Sequence, residues 1–244
     1  MDSALALLAA LAATLFAVDL WVGYRRRPRP HIAAYGIGMT MFALATWAFF
    51  AGLSFGWIGS GYRTFYLFGA ILNIPFLALG SMFLVVGRRS GHVMAISLGA
   101  FTAISTTLTT TVPFANVLPE SGVPHEVFAD GFGPKLFAII GGAAGTTILV
   151  ALALVSVIRF WKKNRGIVWG NLLIVGGTLA AASGGTGLAL GESSAFAVSL
   201  LAAVTLIWAG YKVASGGRRV SEPQTAASAP DVTHLDAGSD ADGL

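Results

Sequence analysis

A chain of 244 residues that is 55% hydrophobic and 11% charged, with a mean hydropathy of +0.76, lacks the polar groups needed to cover a soluble domain. Average usage would place about 60 Asp, Glu, Lys and Arg residues in a chain of this length; here there are 15 basic and 11 acidic ones. A pI of about 9.7 does not point to nucleic acid, because the basic residues come in short clusters between long apolar runs and not as a patch on a polar face. The composition is that of an integral membrane protein. With no cysteine, disulfides, thiolate metal centres, covalent haem attachment and a cysteine nucleophile are excluded.

A hydrocarbon core about 30 Å thick requires roughly 20 apolar residues per helix. Seven runs meet this, at residues 3–23, 32–52, 65–86, 93–112, 136–160, 167–190 and 195–213. The predicted fold is therefore all-α, a polytopic seven-transmembrane-helix bundle over residues 1–215. A cytoplasmic tail over 216–244 has no apolar periodicity and is expected to be disordered. Arg25, Arg26, Arg27, Arg29, Arg88, Arg89, Arg159, Lys162, Lys163, Arg165, Lys212, Arg218 and Arg219 fall at alternate gaps, which puts them on one side; Arg63 and Lys135 fall on the other. The positive-inside rule then places the N-terminus outside and the C-terminus in the cytoplasm of a cell-membrane protein. The first run begins with Asp2 and no Lys or Arg, so it reads as a retained helix and not as a cleaved signal.

In chain order, the first helix carries Asp19 at a depth where a carboxylate needs a partner, with Arg26 or a basic residue of another loop as candidates. His31 and His92 stand at two helix starts on the basic side, where they are solvated or, if adjacent, able to bind haem or a metal. The third helix is interrupted by Asn73 and Pro75: proline has no amide proton and leaves the Ile71 carbonyl without its helical partner. This broken turn is either an internal packing feature or part of a ligand site or hinge. The fourth helix has a hydroxyl-rich outer half, with Thr102, Ser105, Thr106, Thr107, Thr109, Thr110 and Thr111. Such hydroxyls can satisfy themselves on the carbonyl four residues back, or bound an outward-opening polar cavity together with Thr178, Ser183 and Thr186 of the sixth helix.

The longest loop, residues 113–134, is long enough to fold back as a lid, and its His125, Glu126 and Asp130 match no strong metal motif. Gly141 and Gly145, then Gly176, Gly177, Ala180, Ala181, Gly184, Gly185, Gly187 and Gly191, give the fifth and sixth helices small faces suited to tight packing or to a homodimer seam. Their density places the sixth helix centrally, with neighbours on several sides. Glu192 in the short outer turn is a candidate partner for Arg63. Trp57, Tyr62 and Tyr66 on the outer side, and Trp21, Tyr24, Trp161, Trp208 and Tyr211 on the inner, read as interfacial anchors.

Seven helices with an outer N-terminus invite comparison with microbial rhodopsins, but the middle of the last helix, Ser199 to Thr205, has no lysine for a retinal Schiff base. The three-plus-one-plus-three arrangement resembles the layout of sugar-exporting SWEET transporters, without their Pro-Gln signature. The topology is also similar to the seven-helix sensor region of some bacterial histidine kinases, with no output domain following. The function expected is that of a non-enzymatic sensor or accessory subunit binding a small molecule or lipid in an outward-facing polar cavity. Its candidate ligand residues are Arg63, Asn73, Pro75, Thr102, Thr106, Thr109, Ser183, Thr186 and Glu192. No metal and no cofactor are expected; the partners are the lipid bilayer, that ligand, and a second copy or a larger membrane complex. The alternatives are a small-solute transporter and a purely structural subunit. An enzyme is disfavoured because paired carboxylates and Ser-His constellations at one depth do not occur in the sequence.

Overall fold

The computed structural model describes residues 2–115, 118, 127–129, 133–162, 165–189 and 193–219. Seven helices are long and apolar enough to cross a membrane: α1 (Asp2–Arg26), α2 (Pro30–Phe55), α3 (Gly59–Val85), α4 (Arg88–Thr111), α5 (Gly133–Phe160), α6 (Arg165–Ala189) and α7 (Ser193–Arg219). Among the described residues the only β-type pairing is an isolated bridge between Phe114 and Phe128. α7 runs to Arg219, past the boundary expected at residue 215, and the rest of the tail lies outside the described residues. Pro30 opens α2, where its missing amide proton costs nothing. Gly56 (φ 84°) and Gly87 (φ 120°) supply the left-handed backbone at the two reversals that flank α3.

Six helices form a ring. α1 packs on α2, α2 on α3, α3 on α5, α5 on α6, α6 on α7, and α7 returns to α1. α4 stands outside this ring against α3 and α5. Its buried residues, Gly91, Leu98, Ser105 and Thr109, make one narrow stripe. The outer surface is apolar, with Ile96 of α4 76% exposed and Ile158 of α5 77% exposed, as a surface facing acyl chains requires. Among the described residues α6 packs mainly on α5 and α7. Its predicted central position is not what the packing shows: its small residues serve the α7 seam, where Cβ atoms on Gly170 and Gly177 would lie 2.6 Å from the Gly210 carbonyl oxygen and 2.8 Å from that of Ala203.

The interruption of α3 takes a definite form. Residues Tyr66–Leu72 are a π turn, and the Asn73 amide donates to the Phe68 carbonyl, five residues back. Pro75 cannot donate, and its ring would crowd the Ile71 carbonyl in a regular helix; widening the turn relieves the clash. α5 is laid directly on this turn. A Cβ on Gly141 would meet the Ile71 carbonyl oxygen at 2.4 Å, and one on Gly145 would meet the Pro75 nitrogen at 3.0 Å. The four-residue glycine spacing on α5 is thus the imprint of the irregular turn on α3.

Candidate functional site

The two ends of the ring differ in filling. At the end away from the basic clusters, aromatic rings close it. Phe49 meets Phe196 edge-on at 5.0 Å and stacks on Phe65 at 5.7 Å. Trp57 lies against Tyr62 and Phe65, in the space left by Gly52, whose Cβ would be 2.4 Å from the indole. Trp57 and Tyr62, predicted as interfacial anchors, are 7% and 3% exposed and belong to this plug. Phe128 continues it, 5.1 Å from Tyr66. The ends of the long loop fold back on each other, with the Ala115 amide donating to the Val127 carbonyl at 2.7 Å and the Ala129 amide to the Pro113 carbonyl at 3.0 Å.

Arg63 organises that end. Its guanidinium donates to the Thr109 carbonyl and, at 2.9 Å, to the Val112 carbonyl, and it lies 4.4 Å from the centre of the Phe114 ring. Carbonyls in the last turn of a helix lack intrahelical partners and carry the negative end of the helix dipole, so a cation satisfies both needs. Glu192, predicted to pair with Arg63, lies outside the described residues.

The basic end encloses a cavity of about 390 Å³, within the roughly 300–1,000 Å³ of small-molecule sites. All six ring helices line it, and α4 does not. Phe16, Leu77, Leu149, Ile174, Thr178 and Ile207 surround its deep part; Tyr35, Leu84, Asn171, Tyr211 and Ala214 follow; Arg27, Arg29 and His31 stand at its mouth. From Phe16 to Arg27 the helix rises about 16 Å. Polar groups in the wall are held in place: Asn171 donates to Ser156 at 2.8 Å, Tyr35 and Ser81 share a hydrogen bond of 2.9 Å, and Thr178 bonds the Ile174 carbonyl at 2.8 Å. Beside the cavity, Asp19 accepts from Lys212 at 2.7 Å and from Trp208 at 3.2 Å, so its partner lies on α7 and not at Arg26. With Lys212 57% and Asp19 30% exposed, this pair contributes at most about 1 kcal/mol and sets the register of α1 against α7.

Of the nine predicted ligand residues, the seven whose side chains are described do not line the cavity. α4 and α6 are not neighbours, so the hydroxyls expected to share a chamber are separated. Thr102 bonds the Leu98 carbonyl at 2.7 Å, and Ser183 is exposed and bonds Ala180 at 2.9 Å. Thr106 is half-buried, while Thr109 is fully buried with no hydrogen-bond partner for its hydroxyl among the described residues. Asn73 is buried, its Oδ1 likewise without a described partner, and Pro75 is buried beneath Gly145. The Thr186 side chain and His125 lie outside the described residues. His92 meets Phe83 edge-on at 5.3 Å. Among the described residues no three His, Asp or Glu side chains cluster as a metal site.

Sequence reasoning passed over Asn171 and Tyr35, and took Tyr211, which lines the cavity, for an interfacial anchor. Asn171 carried a usable signal, as one of two asparagines within the predicted apolar runs.

Fold and site together define a helical bundle of membrane type, plugged by aromatic rings at one end and hollow at the other. No protein-family model, curated protein or solved structure matches the chain.

Proposed function

We propose that the protein is a non-enzymatic binding protein of the cell membrane, a sensor or accessory subunit that holds a small amphipathic molecule or lipid. Its N-terminus lies outside and its tail in the cytoplasm. The observation that carries this reading is the cavity itself: six helices contribute to one space, so a molecule inside it touches every element of the ring and biases how they pack. The orientation rests on the 13 basic residues at one end against Arg63 and Lys135 at the other, and it makes the cavity open toward the cytoplasm.

The test is retention of a small molecule. Purified from membranes in mild detergent, the protein is expected to carry a molecule detectable by mass spectrometry after extraction. Leu84→Trp, which fills the middle of the cavity from a half-buried position, should lower its occupancy about ten-fold with the thermal midpoint kept. Equal recovery from both proteins would place the molecule on the outer surface and end this reading.

One observation favours transport as a second reading. With α4 outside, α3 meets α5 and α7 meets α1 as parallel neighbours, so two three-helix units, α1 to α3 and α5 to α7, face each other across the cavity. Because the chain has no cysteine, Thr178→Cys alone reports access. Labelling by an impermeant maleimide from both sides of the membrane favours transport, and from one side favours binding.

A further inference from the structure

We propose that the molecule held in the cavity is a single-chain lipid anion, its head on Arg27 and Arg29 and its chain among Phe16, Leu77 and Leu149. This rests on the binding reading above and assigns the class of ligand. Three observations carry it.

The first is the gradient of lining chemistry. Deep in the ring the wall is hydrocarbon and aromatic, and about 16 Å of helix rise away it ends in two guanidiniums and an imidazole. A molecule matched to both ends has an apolar body and a negative head. The second is basic charge that no carboxylate answers among the described residues. Among the described residues the carboxylates are Asp2, at the opposite end of α1, and Asp19, which Lys212 holds. Neither Arg27 nor Arg29 has an ion-pair partner there, and both are exposed. A guanidinium fork takes a carboxylate or a phosphate through two parallel hydrogen bonds, so either head serves. The third is size. About 390 Å³ is at the low end of the range for small-molecule pockets, and the aromatic plug at Phe49 and Phe196 stops the chain from crossing to the far side. One slim chain entering head-last fits such a space.

The experiment uses the full chain purified in a neutral detergent, with binding of oleate and of monoolein, the uncharged glycerol ester of the same chain, measured by native mass spectrometry. Oleate is expected to bind at least ten-fold more tightly than monoolein. Arg27→Gln with Arg29→Gln should weaken oleate about ten-fold and leave monoolein within two-fold. Arg25→Gln with Arg26→Gln, which removes equal charge from the same cluster without touching the cavity, should leave both within two-fold. Dodecyl phosphate in place of oleate identifies the preferred head, and tight, Arg27- and Arg29-dependent binding of either anion supports the proposal. Equal affinity for oleate and monoolein, or equal losses in the two double variants, overturns the choice of an anion while the cavity remains a binding site. Failure of every amphiphile to bind, in the parent and in Leu84→Trp alike, overturns the binding reading itself.

Discussion

Gly141→Val is expected to destabilise the bundle by about 3 kcal/mol or to prevent its folding, because overpacking against fixed backbone forces helices apart. The first added carbon would stand 2.4 Å from the Ile71 carbonyl oxygen. That atom belongs to the π turn and has no freedom to rotate away, as the end of a side chain would. Gly142 supplies the control: a Cβ there meets nothing within 4 Å, so Gly142→Ala should leave stability unchanged or raise it by about 0.5 kcal/mol through the unfolded chain. Thermal unfolding of both variants in one detergent, followed by circular dichroism, separates the cases. Equal midpoints would mean that α5 does not rest on the irregular turn of α3.

Arg63→Met should cost about 2–3 kcal/mol, the range for losing hydrogen bonds from a charged donor to groups that stay buried. Two carbonyls at the end of α4 lose their partner at once, and the Phe114 ring loses the cation over its face. Arg63→Lys is expected to recover less than half, because an ammonium cannot present two diverging donors from one plane. Amide hydrogen exchange adds a readout specific to place: protection should fall over the last turn of α4, near Leu108 to Val112, and hold in α6 and α7, which do not touch it. A uniform loss of protection would make Arg63 a general stabiliser and not the cap of α4.

The arrangement of these two sites accounts for a cavity at the basic end. Above the π turn, Phe49, Tyr62, Phe65 and Phe196 deliver rings inward from three helices and Trp57 from the turn between α2 and α3, and glycines such as Gly52 make room for them. Below it the cavity wall carries aliphatic or small residues such as Leu77, Leu84, Leu149, Thr178 and Ala214 beside the rings of Phe16, Tyr35 and Tyr211. Asn73 sits buried at the boundary, one turn from Leu77, the first α3 residue of the cavity wall.

The amino-acid sequence alone determined how many helices there are, roughly where they begin and end, and that basic residues gather at one end. These follow from hydrophobic length and charge, which act residue by residue and need no knowledge of neighbours. It also located the break at Asn73 and Pro75, since a missing amide proton is a local fact. Which helices touch was decided by the tertiary structure. In an apolar chain nearly every helix face is hydrophobic, so periodicity does not mark the face that is buried, and five of the α4 hydroxyls, those of Thr102, Ser105, Thr107, Thr110 and Thr111, bond their own backbone whichever way they point. The exclusion of α4 from the ring, the seating of Gly141 on a carbonyl of α3 and the filling of one end by rings are matters of shape between distant segments. They moved the candidate site from the hydroxyl-rich end, where the sequence concentrates polarity, to the basic end, where packing leaves space.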